Sequence, residues 1–111
     1  MKRIWNAFFY SLSGLKATFQ SEPAFRQDCL VCTIGTIALF FLNCSLPEKA
    51  FLFATLMLIL VMELVNTAIE AVVDRISKER HPLSKKAKDI GSALVLLAFI
   101  NAIVVWILIL S

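Results

Sequence analysis

The sequence predicts an all-α integral membrane protein with three transmembrane helices and an N-terminal amphipathic helix on the membrane surface. Hydrophobic residues make up 59% of the chain and the mean hydropathy is +0.82, against the roughly 45–50% apolar share usual for soluble domains. Two runs, 29–47 and 90–111, contain no charged side chain, and each is close to the ~20 residues that carry a helix across a hydrocarbon core. Of the 11 Lys and Arg residues, all except Lys49 fall on one side of the spans these runs imply. A chain of 111 residues forms one domain, residues 1–111.

Residues 2–20 make the surface helix. Ile4, Trp5, Phe8, Phe9, Leu12, Leu15 and Phe19 recur at the spacing of one helix face. Arg3, Asn6, Tyr10, Ser13 and Gln20 lie outside that arc, with Lys16 on its rim. A helix of this kind rests in the headgroup plane with its apolar face down. "SEPAFRQD", residues 21–28, follows. Ser21 suits a cap and Pro23 a first turn, so the first span is expected over 24–46, with Glu22, Arg26 and Asp28 at the interface. A tight Ser45-Leu46-Pro47-Glu48 turn leads to a second span over 50–76. The charged loop "DRISKERHPLSKKAKD", 74–89, is interrupted by Pro82. Ser84 is expected to cap the third span, 84–110, in which Trp106 reads as an interfacial anchor and Asn101 as a helix–helix hydrogen bond.

The distribution of Lys and Arg places the N-terminus in the cytoplasm and the C-terminus outside. The net charge of +3 then reflects topology and attraction to anionic headgroups, and no nucleic-acid partner is expected. Met1-Lys2-Arg3 does not open a secretory signal, because Asn6, Ser11, Ser13 and Lys16 break the apolar region and no small-x-small cleavage site follows. Cys29 and Cys32 form a CxxC without a second Cys or His pair, so the three cysteines read as small buried hydrophobes.

The chemistry concentrates in "VMELVNTAIEAVVD", residues 61–74. Glu63, Asn66, Glu70 and Asp74 follow one another at steps that place all four side chains in one wedge of a helix. A charge at the centre of a spanning helix costs about 2.5–3.5 kcal/mol. Asp74 lies near the interface, Glu70 one turn deeper, and Glu63 deepest. Gluing helices together needs only one polar residue. A row of carboxylates opposite a Lys/Arg cluster suits a cation with a polyanion nearby, and the hard oxygens of Glu22, Glu70 and Asp74 suit Mg²⁺. No GxxxxGK[ST] motif is present, and Gly14, Gly35 and Gly91 are too scattered for a phosphate loop. With His81 the single histidine, no Ser-His-Asp set forms. On these residues alone, a small carboxylate-lined ion or proton transporter stands level with an enzyme, while the wedge argues against a purely structural three-helix protein.

"ELVNTAIEAVVDRI" (63–76), "HPLSKKAKDIGSA" (81–93) and "EPAFRQD" (22–28) together resemble the prokaryotic integral-membrane diacylglycerol kinase family, which also includes undecaprenol kinases. The resemblance runs from Arg3 to Trp106. It implies a homotrimer of the bacterial inner membrane, each subunit contributing three spans and a surface helix, with active sites shared between neighbours near the cytoplasmic face. It further implies transfer of the γ-phosphoryl of MgATP to a lipid hydroxyl, with Mg²⁺ as cofactor. "AVVDRI" and "KDIGSA" lean to diacylglycerol as acceptor, giving phosphatidic acid; "HPL" also occurs in undecaprenol-type members.

Matched position by position, the resemblance makes Glu63 the catalytic base and Glu22 and Glu70 the metal ligands, which also contact the nucleotide. Asn66, Lys88 and Asp89 match the nucleotide site, and Arg3, Tyr10, Glu79, Arg80 and His81 match further ATP-contacting positions. Arg3, Lys16, Ala24, Arg26, Glu63, Ser92 and Trp106 match positions facing the lipid acceptor. Two departures stand out: Leu12-Ser13 precedes Gly14 where an aromatic–lysine pair is expected, and Pro23 replaces a small residue beside Glu22.

Overall fold

The computed structural model describes all 111 residues as four helices and no strand: α1 (Lys2–Ser21), α2 (Pro23–Leu39), α3 (Leu46–Ile76) and α4 (Pro82–Leu110). Helix α3 packs against both α2 and α4, and α1 touches α2. Only 13 of the 111 residues are buried, while most of the large apolar side chains are exposed. A fold with so much apolar surface uncovered is completed by lipid or by other protein. Helices α3 and α4 are each long and apolar enough to cross a membrane.

Helix α1 leaves its apolar arc, Ile4 through Phe19, exposed, and Thr18 is its one buried residue. It ends at a break one residue wide. Pro23 disfavours helical backbone at the residue before it, and Glu22 is accordingly extended, with φ −114° and ψ 103°. Glu22 therefore closes α1 and caps α2, with Pro23 in the first turn of α2; Ser21, expected as the cap, is instead the last residue of α1. The Arg26 guanidinium reaches back to donate to the carbonyls of Phe19 at 2.6 Å and Gln20 at 3.0 Å. Those carbonyls lack helical partners at the end of α1, so Arg26 fixes the angle between the two helices.

Helix α2 stops at Leu39, seven positions short of the end of the expected 24–46 span. The uncharged run has to contain the reversal that brings α3 back antiparallel, and residues 40–45 make it. Ser45 then caps α3 with a reciprocal capping box: its side chain accepts from the Glu48 amide, and the Glu48 carboxylate accepts from the Ser45 amide. The second long helix thus begins at Leu46, four residues before the expected 50. At its other end α3 runs 31 residues, about 46 Å at the α-helical rise. A hydrocarbon core is about 30 Å thick, so the last turns of α3 extend past it. Helix α4 is capped by His81, whose Nδ1 accepts from the Leu83 amide at 3.1 Å, with Pro82 in the first turn. Ser84, expected in that role, lies inside the helix.

The core is small and lies between α2, α3 and α4: Cys32, Leu56, Ile59, Ala98 and Ala102, flanked by Leu58, Leu60, Met62, Phe99 and Trp106. Small residues let helix backbones approach closely. Ala98 and Ala102 do so one turn apart on α4, and Gly91 does so two turns nearer its start. A Cβ at Gly91 would overlap Asn66 Oδ1, whereas a Cβ at Gly14 would meet nothing within 4 Å. Gly91→Ala should therefore cost about 1–3 kcal/mol through overpacking, while Gly14→Ala should be neutral or stabilising by up to about 1 kcal/mol. Thermal unfolding of both variants in detergent micelles checks the contrast.

Candidate active site

The wedge of α3 folds as the spacing requires. Glu63 is only 9% exposed, and Asn66 and Glu70 are half-buried on the turns that follow. Glu70 stands about 10 Å and Asp74 about 16 Å beyond Glu63 along the helix axis. Asp28 of α2, which packs on α3, is buried as well, and its charge acts on Glu63. Glu22, at the α1–α2 break, and Glu70 lie near enough for their charges to act on Glu63. Three further carboxyl groups, from α2, α3 and the α1–α2 break, thus act on Glu63 from different depths.

Asp28, expected at the interface with Glu22 and Arg26, turns inward on α2 and is buried at 8% exposure. Its place is set by the stripe Phe25, Asp28, Cys32 and Leu39, the buried residues of α2. That helical spacing is present in the sequence and would have marked Asp28 as inward-facing.

Beyond the carboxyl group, the α3–α4 connection encloses a cavity of about 640 Å³ lined by Asp74, Ser77, Lys78, Glu79, Arg80, His81, Ser84, Lys85, Lys88 and Asp89. That volume lies in the range of small-molecule sites, about 300–1,000 Å³. The N-terminal end of α4 opens into it beside Lys85 and Lys88, where helix dipole and ammonium groups both favour an anion. Lys88 Nζ bonds Asp74 Oδ1 at 2.6 Å, tying α4 to α3. Lys85 bonds Asp89 at 2.7 Å along α4. Asp74 is therefore engaged by a lysine, which leaves Glu22 and Glu70 as the carboxylates nearest Glu63 that are free to take a cation.

No three carboxylate, histidine or cysteine side chains come together as a metal cage. Mg²⁺ is commonly held by one or two carboxylates together with substrate phosphates, and the hard oxygens of Glu22 and Glu70, both near enough for their charge to act on Glu63, fit that chemistry. Asn66, one turn from Glu63, faces α4 across Gly91. Its Oδ1 is buried without a hydrogen-bond partner.

The structure does not bring every expected position to this place. Arg3, Tyr10 and Lys16 stand exposed on α1, and none of them lines the cavity. Arg26 is spent on the end of α1. Ala24 and Ser92 are exposed on α2 and α4. Trp106 is half-buried, its indole N–H donating to Thr55 Oγ1 at 2.9 Å. Thr55 lies about 12 Å from Glu63 along α3, so Trp106 sits at the other end of the bundle.

Comparison with known proteins finds relatives over nearly the whole chain. A profile of the family described as prokaryotic diacylglycerol kinase matches residues 9–110. A Pseudomonas aeruginosa protein named diacylglycerol kinase is 49% identical over 106 residues, covering 96% of this chain and 86% of the relative. The Escherichia coli K12 protein of that name is 42% identical over 108 residues, covering 97% and 88%. The Haemophilus influenzae protein is 44% identical over 101 residues, covering 91% and 86%. With the match running across nearly all of its length, the chain belongs to the prokaryotic diacylglycerol kinase family.

Proposed function

We propose that this protein is an ATP-dependent lipid kinase that transfers the γ-phosphoryl group of ATP to the hydroxyl of diacylglycerol, forming phosphatidic acid. The observation that carries this reading is a single face of α3 that runs from the buried Glu63 to Asp74, which lines a cavity rich in charge. A base that meets a hydroxyl in the bilayer must lie at membrane depth, while groups that meet a nucleotide must lie at the water boundary. Family membership and the names of the relatives support the same activity.

In this reading Glu63 accepts the proton of the lipid hydroxyl as its oxygen bonds to the γ-phosphorus and the bond to the bridging oxygen of ADP breaks. Lys88 and the start of α4 take the phosphates, with Asn66, Asp89, Glu79, Arg80 and His81 around the nucleotide. Glu22 and Glu70 hold Mg²⁺, which when bound offsets negative charge on the phosphate oxygens. Positioning and electrostatics supply most of the catalysis in phosphoryl transfer, so the chain needs few reacting groups.

The assembly is proposed as a homotrimer in the bacterial inner membrane. Three spans per subunit, α2 included, run with the N-terminus cytoplasmic. The broad exposed apolar surface supports association, and the bias of Lys and Arg to one side supports the orientation. Arg3, Tyr10 and Lys16, exposed on α1, then complete a neighbouring subunit's site, and Ala24, Arg26, Ser92 and Trp106 border the lipid.

Glu63→Gln should lower kcat by about 10²–10⁴-fold, the usual contribution of a general base, with KM for MgATP within about twofold. Phosphatidic acid formed from labelled ATP in mixed micelles measures it, and unchanged turnover removes Glu63 from the role. Glu22→Gln and Glu70→Gln should each raise the Mg²⁺ concentration for half-maximal activity by about tenfold or more, in line with the loss of one of few protein ligands. A Mg²⁺ titration at fixed ATP reads this directly. Given diacylglycerol and undecaprenol separately, the purified protein should phosphorylate diacylglycerol faster; equal or reversed rates reassign the acceptor.

A further inference from the structure

Asn66 is held in the site by shape. Its Oδ1 is enclosed without a hydrogen-bond partner. It also makes none of the side-chain bonds that tie the helices together, which run from Cys32 to Leu56, from Arg26 to Phe19 and Gln20, and from Trp106 to Thr55. What lies against that oxygen is Gly91 of α4, where a Cβ would overlap Oδ1 and come within 3.2 Å of Cγ. A buried acceptor without a donor destabilises the fold, and such a group in a native structure calls for an explanation in its task.

The glycine also decides which way the amide is turned. The two ends of an asparagine amide differ only in their hydrogens, and the surroundings choose between them. Gly91 presents Cα hydrogens, which attract an oxygen weakly and would meet the hydrogens of an NH₂ group head on. With Oδ1 against Gly91, the NH₂ edge of the planar amide is turned away from Gly91, its two donors uncommitted. Asn66 stands about 4.5 Å beyond Glu63 and about 6 Å short of Glu70 along the axis of α3. In the proposed reaction this is the interval between the base and the metal-bound phosphates, the path of the γ-phosphoryl group. A donor set in advance on a transferring group is worth about 10²–10³-fold in rate.

We propose that Gly91 is a positioning residue: by having no side chain it seats the Asn66 oxygen and turns the amide NH₂ toward an oxygen of the γ-phosphoryl group. This inference rests on the reading of the protein as a lipid kinase with Asn66 at the nucleotide. In Gly91→Ala the new methyl meets the far end of a side chain that turns about two torsions, so the amide swings out of place before the helices part. The test compares Gly91→Ala, Asn66→Ala, the double variant and Asn66→Asp, each as the full chain in mixed micelles with diacylglycerol and MgATP. Thermal unfolding of each reports its folding. Gly91→Ala and Asn66→Ala should each lower kcat by about 10²-fold, with KM for MgATP within about twofold. The double variant leaves the methyl nothing to displace. It should fall within about threefold of Asn66→Ala, because two changes acting through one contact do not add. Asn66→Asp keeps the shape and an oxygen against Gly91 but removes the donors, and should lose at least as much as Asn66→Ala.

If the loss from Gly91→Ala recurs at full size in the Asn66→Ala background, Gly91 acts on helix packing and the positioning role is overturned. A folded Gly91→Ala that turns over like the native protein overturns it too. Should Gly91→Ala fail to fold, recovery of folding in the double variant supports the contact with Asn66, and failure of both overturns it. A native rate for Asn66→Asp removes the donor. A loss expressed in KM for MgATP instead of kcat moves Asn66 to ground-state binding and overturns its place on the transferred group. A native protein that phosphorylates no lipid alcohol removes the kinase reading itself, whereas an active native protein with variants that behave otherwise than stated removes only this inference.

Discussion

The burial of carboxyl groups between α2 and α3, Asp28 on one and Glu63 on the other, is the constraint around which the rest of the bundle is arranged. A charge in the middle of a spanning helix costs about 2.5–3.5 kcal/mol on insertion scales. Such burial persists only if the helices carrying it are held together by other means. Cys32 against the Leu56 carbonyl, the apolar cluster of Cys32, Leu56 and Ile59, and the Arg26 clamp on the end of α1 all lie within a few turns of it. On the other side, Ala98, Ala102 and Gly91 let α4 press against α3. The cost of burying these carboxyls is thus met by close packing of small and apolar side chains, because lipid supplies no hydrophobic drive between helices.

The same arrangement grades the site by depth. Helix α3 is longer than the hydrocarbon core is thick, so one helix face runs from a buried carboxyl to a hydrated one. Glu63 is buried within the bundle, and Asp74 lies where Lys88 meets it at the edge of the cavity. A shorter helix would have brought the loop of residues 77–81 down to the level of Glu63. In the proposed reaction, the separation of a lipid side from a nucleotide side follows from the length of α3.

Much of this architecture was legible from the sequence, and the part that was not has a physical reason. Hydropathy located α3 and α4, and helical periodicity located α1, because each signal lies within its own segment. The end of α2 escaped because residues 40–45 turn the chain inside an uncharged run, and hydropathy cannot distinguish an apolar turn from an apolar helix. Ser21 and Ser84 were plausible caps by type, but Pro23 and Pro82 each take the first helical position, making the residues before them, Glu22 and His81, the caps. The wedge of Glu63, Asn66, Glu70 and Asp74 was visible because one helix carries all of it. The inward face of α2 was visible in the spacing of Phe25, Asp28 and Cys32, but what that face packs against depends on α3, a long way along the chain. The bond from Trp106 to Thr55 is another partner visible only after folding.

The ion pairs around the cavity explain how it can stay ordered and still admit a polyanion. Lys88 and Asp74 are half-exposed, and Lys85 and Asp89 more so. Pairs of that kind contribute about 0–1 kcal/mol, so moving Lys88 from Asp74 to a phosphate oxygen gives up little, while a charge-assisted bond to phosphate is among the stronger polar contacts. The Asp74 carboxylate released by that exchange lies one turn from Glu70, on the face where the proposed metal is held. Partner exchange at half-exposed pairs, where ion pairs are weak, can then coexist with buried carboxyls deeper in the bundle, whose surroundings are costly to change. The contrast between Lys88–Asp74 and Glu63 follows from one physical difference, the local exposure of charge to water.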